Sequence, residues 1–112
     1  METETLNAQE IAPHRGPRFE IRELVSVRIF GGPAFLLNLG LGGAAIQAME
    51  ILEPGCLFSL AFSLPDSDSE VQGFGKVVWS DRSGRAGLKF VGISEFDRAR
   101  LDNWVNGKQS VN

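Results

Sequence analysis

Between Leu57 and Leu64 apolar and polar positions alternate. Phe58, Leu60, Phe62 and Leu64 fall on one side, and Ser59, Ala61 and Ser63 on the other. A period of two marks a strand with one face on a core. The same period runs from Ile21 to Ile29, with Ile21, Val25, Val27 and Ile29 on one face and Arg22, Ser26 and Arg28 on the other. Gly31-Gly32-Pro33 punctuates a turn, and Phe35 to Leu39 reads as the next strand, ended by a glycine-rich turn. Ala44 to Met49, Val71 to Ser80 and Ala86 to Val91 supply three more. Pro54-Gly55, the polar loop Pro65-Asp66-Ser67-Asp68-Ser69 and the turn Asp81-Arg82-Ser83-Gly84 separate them. In the longest of these, Val77 and Trp79 are placed on one face and Phe74 and Val78 on the other. Six short strands with turn signals at this spacing predict a mainly-β fold, a small six-stranded antiparallel barrel.

The last segment changes period. Ser94-Glu95-Phe96-Asp97 resembles a capping box with Asp97 in place of the usual Glu. Phe96, Ala99, Leu101, Trp104 and Val105 follow helical spacing, and Gly107 marks a stop. A C-terminal α-helix closing one end of the barrel follows. Residues 1–17 lack periodicity and contain Pro13, Gly16 and Pro17, so they read as a flexible N-terminal arm. The domain proper is then 18–107, with a flexible tail over 108–112.

Composition narrows the chemistry. A chain of 112 residues, 43% hydrophobic, is one domain with a real core. Eleven Lys and Arg against fourteen Asp and Glu give a net charge of −3, the wrong sign for a protein that coats nucleic acid. The basic residues are nevertheless local: Arg15, Arg18, Arg22 and Arg28 lie within fourteen positions. That cluster suits a small anionic ligand better than a polyanion. The lone cysteine, Cys56, has no partner for a disulfide and reads as a small buried hydrophobe in a reducing compartment. The opening METETLNAQE has no apolar core of a signal peptide, and no apolar run reaches the ~20 residues of a membrane span. A cytoplasmic protein without membrane insertion is expected.

No catalytic residue stands out. His14 is the single histidine and lies in the arm, so with Cys56 it makes no zinc site. Asp66, Asp68 and Glu70 read as solvated loop charge, and no nucleophile has a base and an orienting group. Neither an enzyme nor a resident metal or cofactor is expected. Gly40-Leu41-Gly42-Gly43-Ala44-Ala45 does satisfy GxGxxA, a variant of a dinucleotide-binding fingerprint. Its context fails. Only about nine residues separate it from Pro54-Gly55. The stretch where a ribose-binding acid belongs, Leu57 to Leu64, contains none.

Two short motifs carry the binding chemistry. Arg18-Phe19-Glu20-Ile21-Arg22 reads RxxxR at the mouth of a strand, and Asn38-Leu39-Gly40-Leu41-Gly42-Gly43 reads NxGxxG at the turn after the next strand. Guanidinium forks pair with phosphate oxygens bidentately, and glycine lets backbone approach a ligand closely. In this order the pair resembles the PilZ domain family, bacterial receptors for cyclic di-GMP that carry RxxxR and then (D/N)xSxxG. Asn38 matches the first position of the second motif and Gly43 the last, while Gly40 stands where the family has serine. Gly73-Phe74-Gly75-Lys76-Val77-Val78-Trp79 and Gly87-Leu88-Lys89-Phe90 are also similar to family strands, so the resemblance spans about residues 15 to 105.

The resemblance implies a cyclic di-GMP receptor domain whose ligand-binding residues are Arg18, Arg22, Asn38, Gly40 and Gly43. Arg15 is added by proximity, and Trp79 as a stacking surface for a base. Such a domain converts messenger binding into an altered surface for a downstream protein. Gly40 implies the alternative: a PilZ-like interaction module, in motility or pilus assembly, that does not bind the nucleotide.

Overall fold

A computed structural model describes residues 18–29, 32–65, 67 and 69–110. Seven strands and one helix follow in order: β1 Arg18–Glu20, β2 Ser26–Ile29, β3 Gly32–Gly40, β4 Gly43–Ala48, β5 Leu57–Ser63, β6 Glu70–Ser80, β7 Arg85–Ile93 and α1 Glu95–Ser110. All pairings are antiparallel, in the order β3-β2-β5-β6-β7-β4, and β4 pairs back onto β3. Six strands therefore close a barrel and β1 is a seventh, outside the ring. The expected arm over 1–17, with His14 and Arg15, lies outside the described residues, as do Asp66 and Asp68.

The extra strand comes from a segment expected to be continuous. Ile21 to Ile29 is not one strand. Residues 21–25 leave the ladder, and β1 and β2 pair with successive halves of the same edge of β3. The chain stays tethered through the break, because the Ile21 N–H donates to Leu37 C=O (2.9 Å) and the Leu36 N–H to Val25 C=O (2.9 Å). The interruption matches a bulge on β3 between Leu36 and Asn38. An extra residue on one strand breaks strict register with its neighbours.

Alternation fills the barrel. Leu36, Leu39, Ile46, Leu60, Phe62, Val71, Val77, Leu88 and Phe90 point inward, with Phe62 and Phe90 stacked at 6.3 Å. Burying each such side chain is worth on the order of 1.5–3 kcal/mol. The helix plugs one end with Leu101 and Val105, both essentially inaccessible. Phe96 and Ala99, expected on that buried face, are exposed, and the Phe96 ring instead carries the Arg100 guanidinium at 4.8 Å.

Half of the expected capping box forms. Ser94 Oγ accepts from the Asp97 N–H at 3.1 Å. The Asp97 carboxylate does not reach back to the cap; it accepts from the Gln72 N–H (3.1 Å) and from Arg100 (2.7 Å), tying the helix to β6. The helix runs through Gly107 to Ser110, past the expected stop. Gly107 is not among the glycines with positive φ, so it makes no left-handed cap. Cys56, expected to be buried, is exposed at the entry to β5. Its backbone carries the turn instead: its C=O accepts from the Val77 N–H and its N–H donates to Glu53 C=O.

Candidate functional site

The arginine motif is held by its own alternation. Phe19 turns inward and meets Trp104 of α1 edge-to-face at 6.0 Å. Arg18 and Glu20 therefore face outward and are exposed. Arg22 follows in the bend, with its side chain 87% exposed and its guanidinium 3.6 Å from the Glu20 carboxylate. Register then delivers this group to the second motif, because Arg18 lies opposite Gly40 and Glu20 opposite Asn38.

Asn38 is the hinge of the site. Its Oδ1 accepts from the Ala45 N–H at 3.1 Å, bridging the β3 bulge, and from Arg18 Nη1 at 3.4 Å. With the oxygen so engaged, the Nδ2 amide keeps its donors for another partner. The glycine-rich turn is clamped from two sides: Arg98 Nη1 donates to Leu41 C=O at 2.5 Å and the Phe90 N–H donates to Gly42 C=O at 2.9 Å.

Gly40 and Gly43 are buried, and Gly42 between them is half-buried. A Cβ on Gly43 would stand 2.0 Å from the Leu88 carbonyl oxygen, so its first duty is to let β7 approach β4. Gly40 closes β3 opposite Arg18.

Trp79 is brought to the same outer surface, by a route the sequence did not announce. Val77 is buried inside the barrel, but a register shift between Val77 and Trp79 turns the indole outward, where it is 46% exposed. The expectation that Val77 and Trp79 share a face fails at this bulge. The ring lies across Gly87, where a Cβ would come within 2.1 Å of the indole Nε1. Asn38 pairs with Ala45, Ala45 with Gly87 and Gly87 with Trp79. One cross-strand row thus carries an amide at one end, two small residues in the middle and an indole at the other. In the sequence Ala45 is marked only by the rejected GxGxxA match, and Gly87 only by the GLKF similarity.

Such a surface can hold a planar base against the indole and an anion against the arginines. Concavities elsewhere offer less. The groove lined by Arg28, Ser59, Gln72, Phe74, Ser94 and Asp97 has its charges already paired. Arg28 lies 2.8 Å from Glu70, whose carboxyl Arg28 and Gln72 hold below its ordinary value. Among the described residues no group of three or more His, Cys, Asp or Glu is placed to hold a metal. No helix is long and apolar enough to cross a membrane.

Comparison with known proteins agrees with this architecture. The family model described as PilZ domain matches residues 14–107. The structure of the Bacillus subtilis inhibitor of motility, MotI/DgrA, is similar with a TM-score of 0.69 at 17% identity, over 91% of this chain and 53% of that one. The chain thus spans about half the length of that protein. No curated protein matches the sequence.

Proposed function

The chain belongs to the PilZ domain family, and on that premise we propose that it is a cyclic di-GMP receptor domain acting through a partner protein. The observation that carries this reading is the joining of Arg18, Arg22 and Asn38 on one exposed surface with the Trp79 row. Arg18 and Arg22 take phosphate oxygens or the O6 and N7 edge of a guanine, for which a guanidinium fork is well matched. The Asn38 Nδ2 amide donates to a guanine acceptor, and Trp79 backs a base by stacking. Glu20 competes for Arg22 in the free protein, and the ligand displaces that contact.

The domain does no chemistry of its own in this scheme. Messenger binding reorders the segment around the arginine motif, and the changed surface is what a downstream protein reads. Similarity to an inhibitor of motility makes a motility component the first partner to test.

Gly40 favours a second reading, an interaction module on the same barrel that does not bind the nucleotide. The missing serine hydroxyl costs about one hydrogen bond, ~0.5–1.5 kcal/mol or roughly threefold to tenfold in affinity. A loss of that size weakens a receptor without abolishing it. Titration calorimetry with cyclic di-GMP, paired with a thermal melt, separates the two. A receptor gives heat and a melting temperature that rises with ligand, by about 2.7 kcal/mol of added stability at a hundredfold excess over Kd. Absence of both at high micromolar ligand leaves the interaction module standing.

A further inference from the structure

The register that assembles the site also places two lysines beside it. Arg18 lies opposite Gly40; Gly40 and Gly43 flank the two-residue turn; Gly43 lies opposite Lys89, and Lys89 opposite Lys76. These residues form a second outward row, parallel to the row from Asn38 to Trp79 and about 7 Å from it along the strands. It has cations at both ends and no side chain in the middle. With strands ~4.8 Å apart, roughly 14 Å separates the Arg18 and Lys89 positions.

Lys76 and Lys89 are a costly arrangement for the barrel alone. Like charges directly opposite on neighbouring strands are destabilising. Both side chains are exposed, and neither makes a hydrogen bond or ion pair among the described residues. The outward positions of β4 and β7, and of β6 from Gln72 to Trp79, contain no carboxylate that could relieve them. Their row mates are Gly43 on one side and Leu57 on the other.

We propose that Lys76 and Lys89 form a second phosphate seat. It takes the phosphodiester of a cyclic dinucleotide opposite the one held by Arg18 and Arg22, while a base stacks on the exposed side of Trp79. The ligand class is a purine dinucleotide with two phosphates spaced across the glycine floor. The assignment rests on the receptor reading above and extends it to residues outside both motifs. Lysine suits the role as a compact point charge with three donors.

The test is titration calorimetry of the full chain with cyclic di-GMP at low and high salt, for the wild type, Lys76→Met/Lys89→Met, Lys89→Gln and Lys76→Arg/Lys89→Arg. Losing charge-assisted contacts should weaken the double Met variant about tenfold to a hundredfold. Its affinity should also depend less steeply on salt. Lys89→Gln should move the same way by less, and the double Arg variant should keep most of the affinity. Melting temperatures without ligand should be unchanged or higher in the Met variant, since only repulsion is removed. Wild-type affinity and salt dependence in the double Met variant would overturn the seat while leaving the receptor reading intact. Absence of heat in the wild type itself would overturn that reading and the seat with it.

Discussion

Replacing Gly43 with alanine separates a structural glycine from a ligand-contacting one. The new Cβ would lie 2.0 Å from the Leu88 carbonyl oxygen, 3.1 Å from its carbon and 3.3 Å from Lys89 Cα. Carbon and oxygen meet comfortably at about 3.3 Å, so more than ~1 Å of movement is required. Every obstructing atom is backbone, so no side chain can swing aside. The only relief is to part β4 from β7 at Gly43, which strains the 2.9 Å bond from the Phe90 N–H to Gly42 C=O and the adjoining Ala44–Leu88 pairing. Overpacking costs roughly 1–3 kcal/mol, and each ladder bond left unmade in a buried place adds about 1–3 kcal/mol. A loss of about 3–5 kcal/mol is expected, a large share of the ~5–15 kcal/mol that holds such a domain. The melting temperature should fall by at least about 12 °C. Urea unfolding followed by tryptophan fluorescence and far-ultraviolet circular dichroism measures this directly. A variant within about 1 kcal/mol of wild type would refute the close-approach argument. If such a variant also lost cyclic di-GMP, Gly43 would be acting at the ligand.

Arg22→Ala should leave stability within about 0.5 kcal/mol of wild type, because the side chain is 87% exposed with only a 3.6 Å surface pair to Glu20; calorimetry should show cyclic di-GMP binding weakened about tenfold to a hundredfold. Gly40→Ser restores the family hydroxyl and should raise affinity by roughly threefold to tenfold in the same titration. Hydrogen bonds from Ser83 hold the Asp81 carboxyl below its ordinary 3.8. A folded-state pKa below the unfolded one gives stability that is full above the unfolded value and lost as pH falls through the folded one. Acid melts of Asp81→Asn should accordingly be flatter than wild type below about pH 3.8, measured by melting temperature against pH.

What the sequence could convey depended on whether local pattern or register decided the outcome. The strict alternation from Phe58 to Leu64 predicted the inward face of β5 because every core residue there is two positions from the next. The same logic failed at Trp79 and at 21–25, where bulges shift the period and leave no mark in composition. Cys56 stood in an apolar run, yet Leu57 beside it is 61% exposed, since the run enters the barrel only at Phe58. The helix was legible from Ser94 onward, but its length was not, because glycine ends a helix only where it takes up a left-handed conformation. The arginine motif and Asn38 could be named from spacing. The alignment of Asn38, Ala45, Gly87 and Trp79 could not, since it arises from pairing among residues up to 42 positions apart.

The barrel closes through β3-β2-β5-β6-β7-β4 and back to β3 without β1. The three residues of β1 lie on one flank of β3, outside the ring, with Phe19 as their anchor to the helix. Substitution at Glu20 or Arg22 therefore meets little resistance from folding. The arginine motif can thus be altered while the barrel stays well formed. The two functions weighed above are in this sense neighbours, a few tolerated substitutions apart on one scaffold.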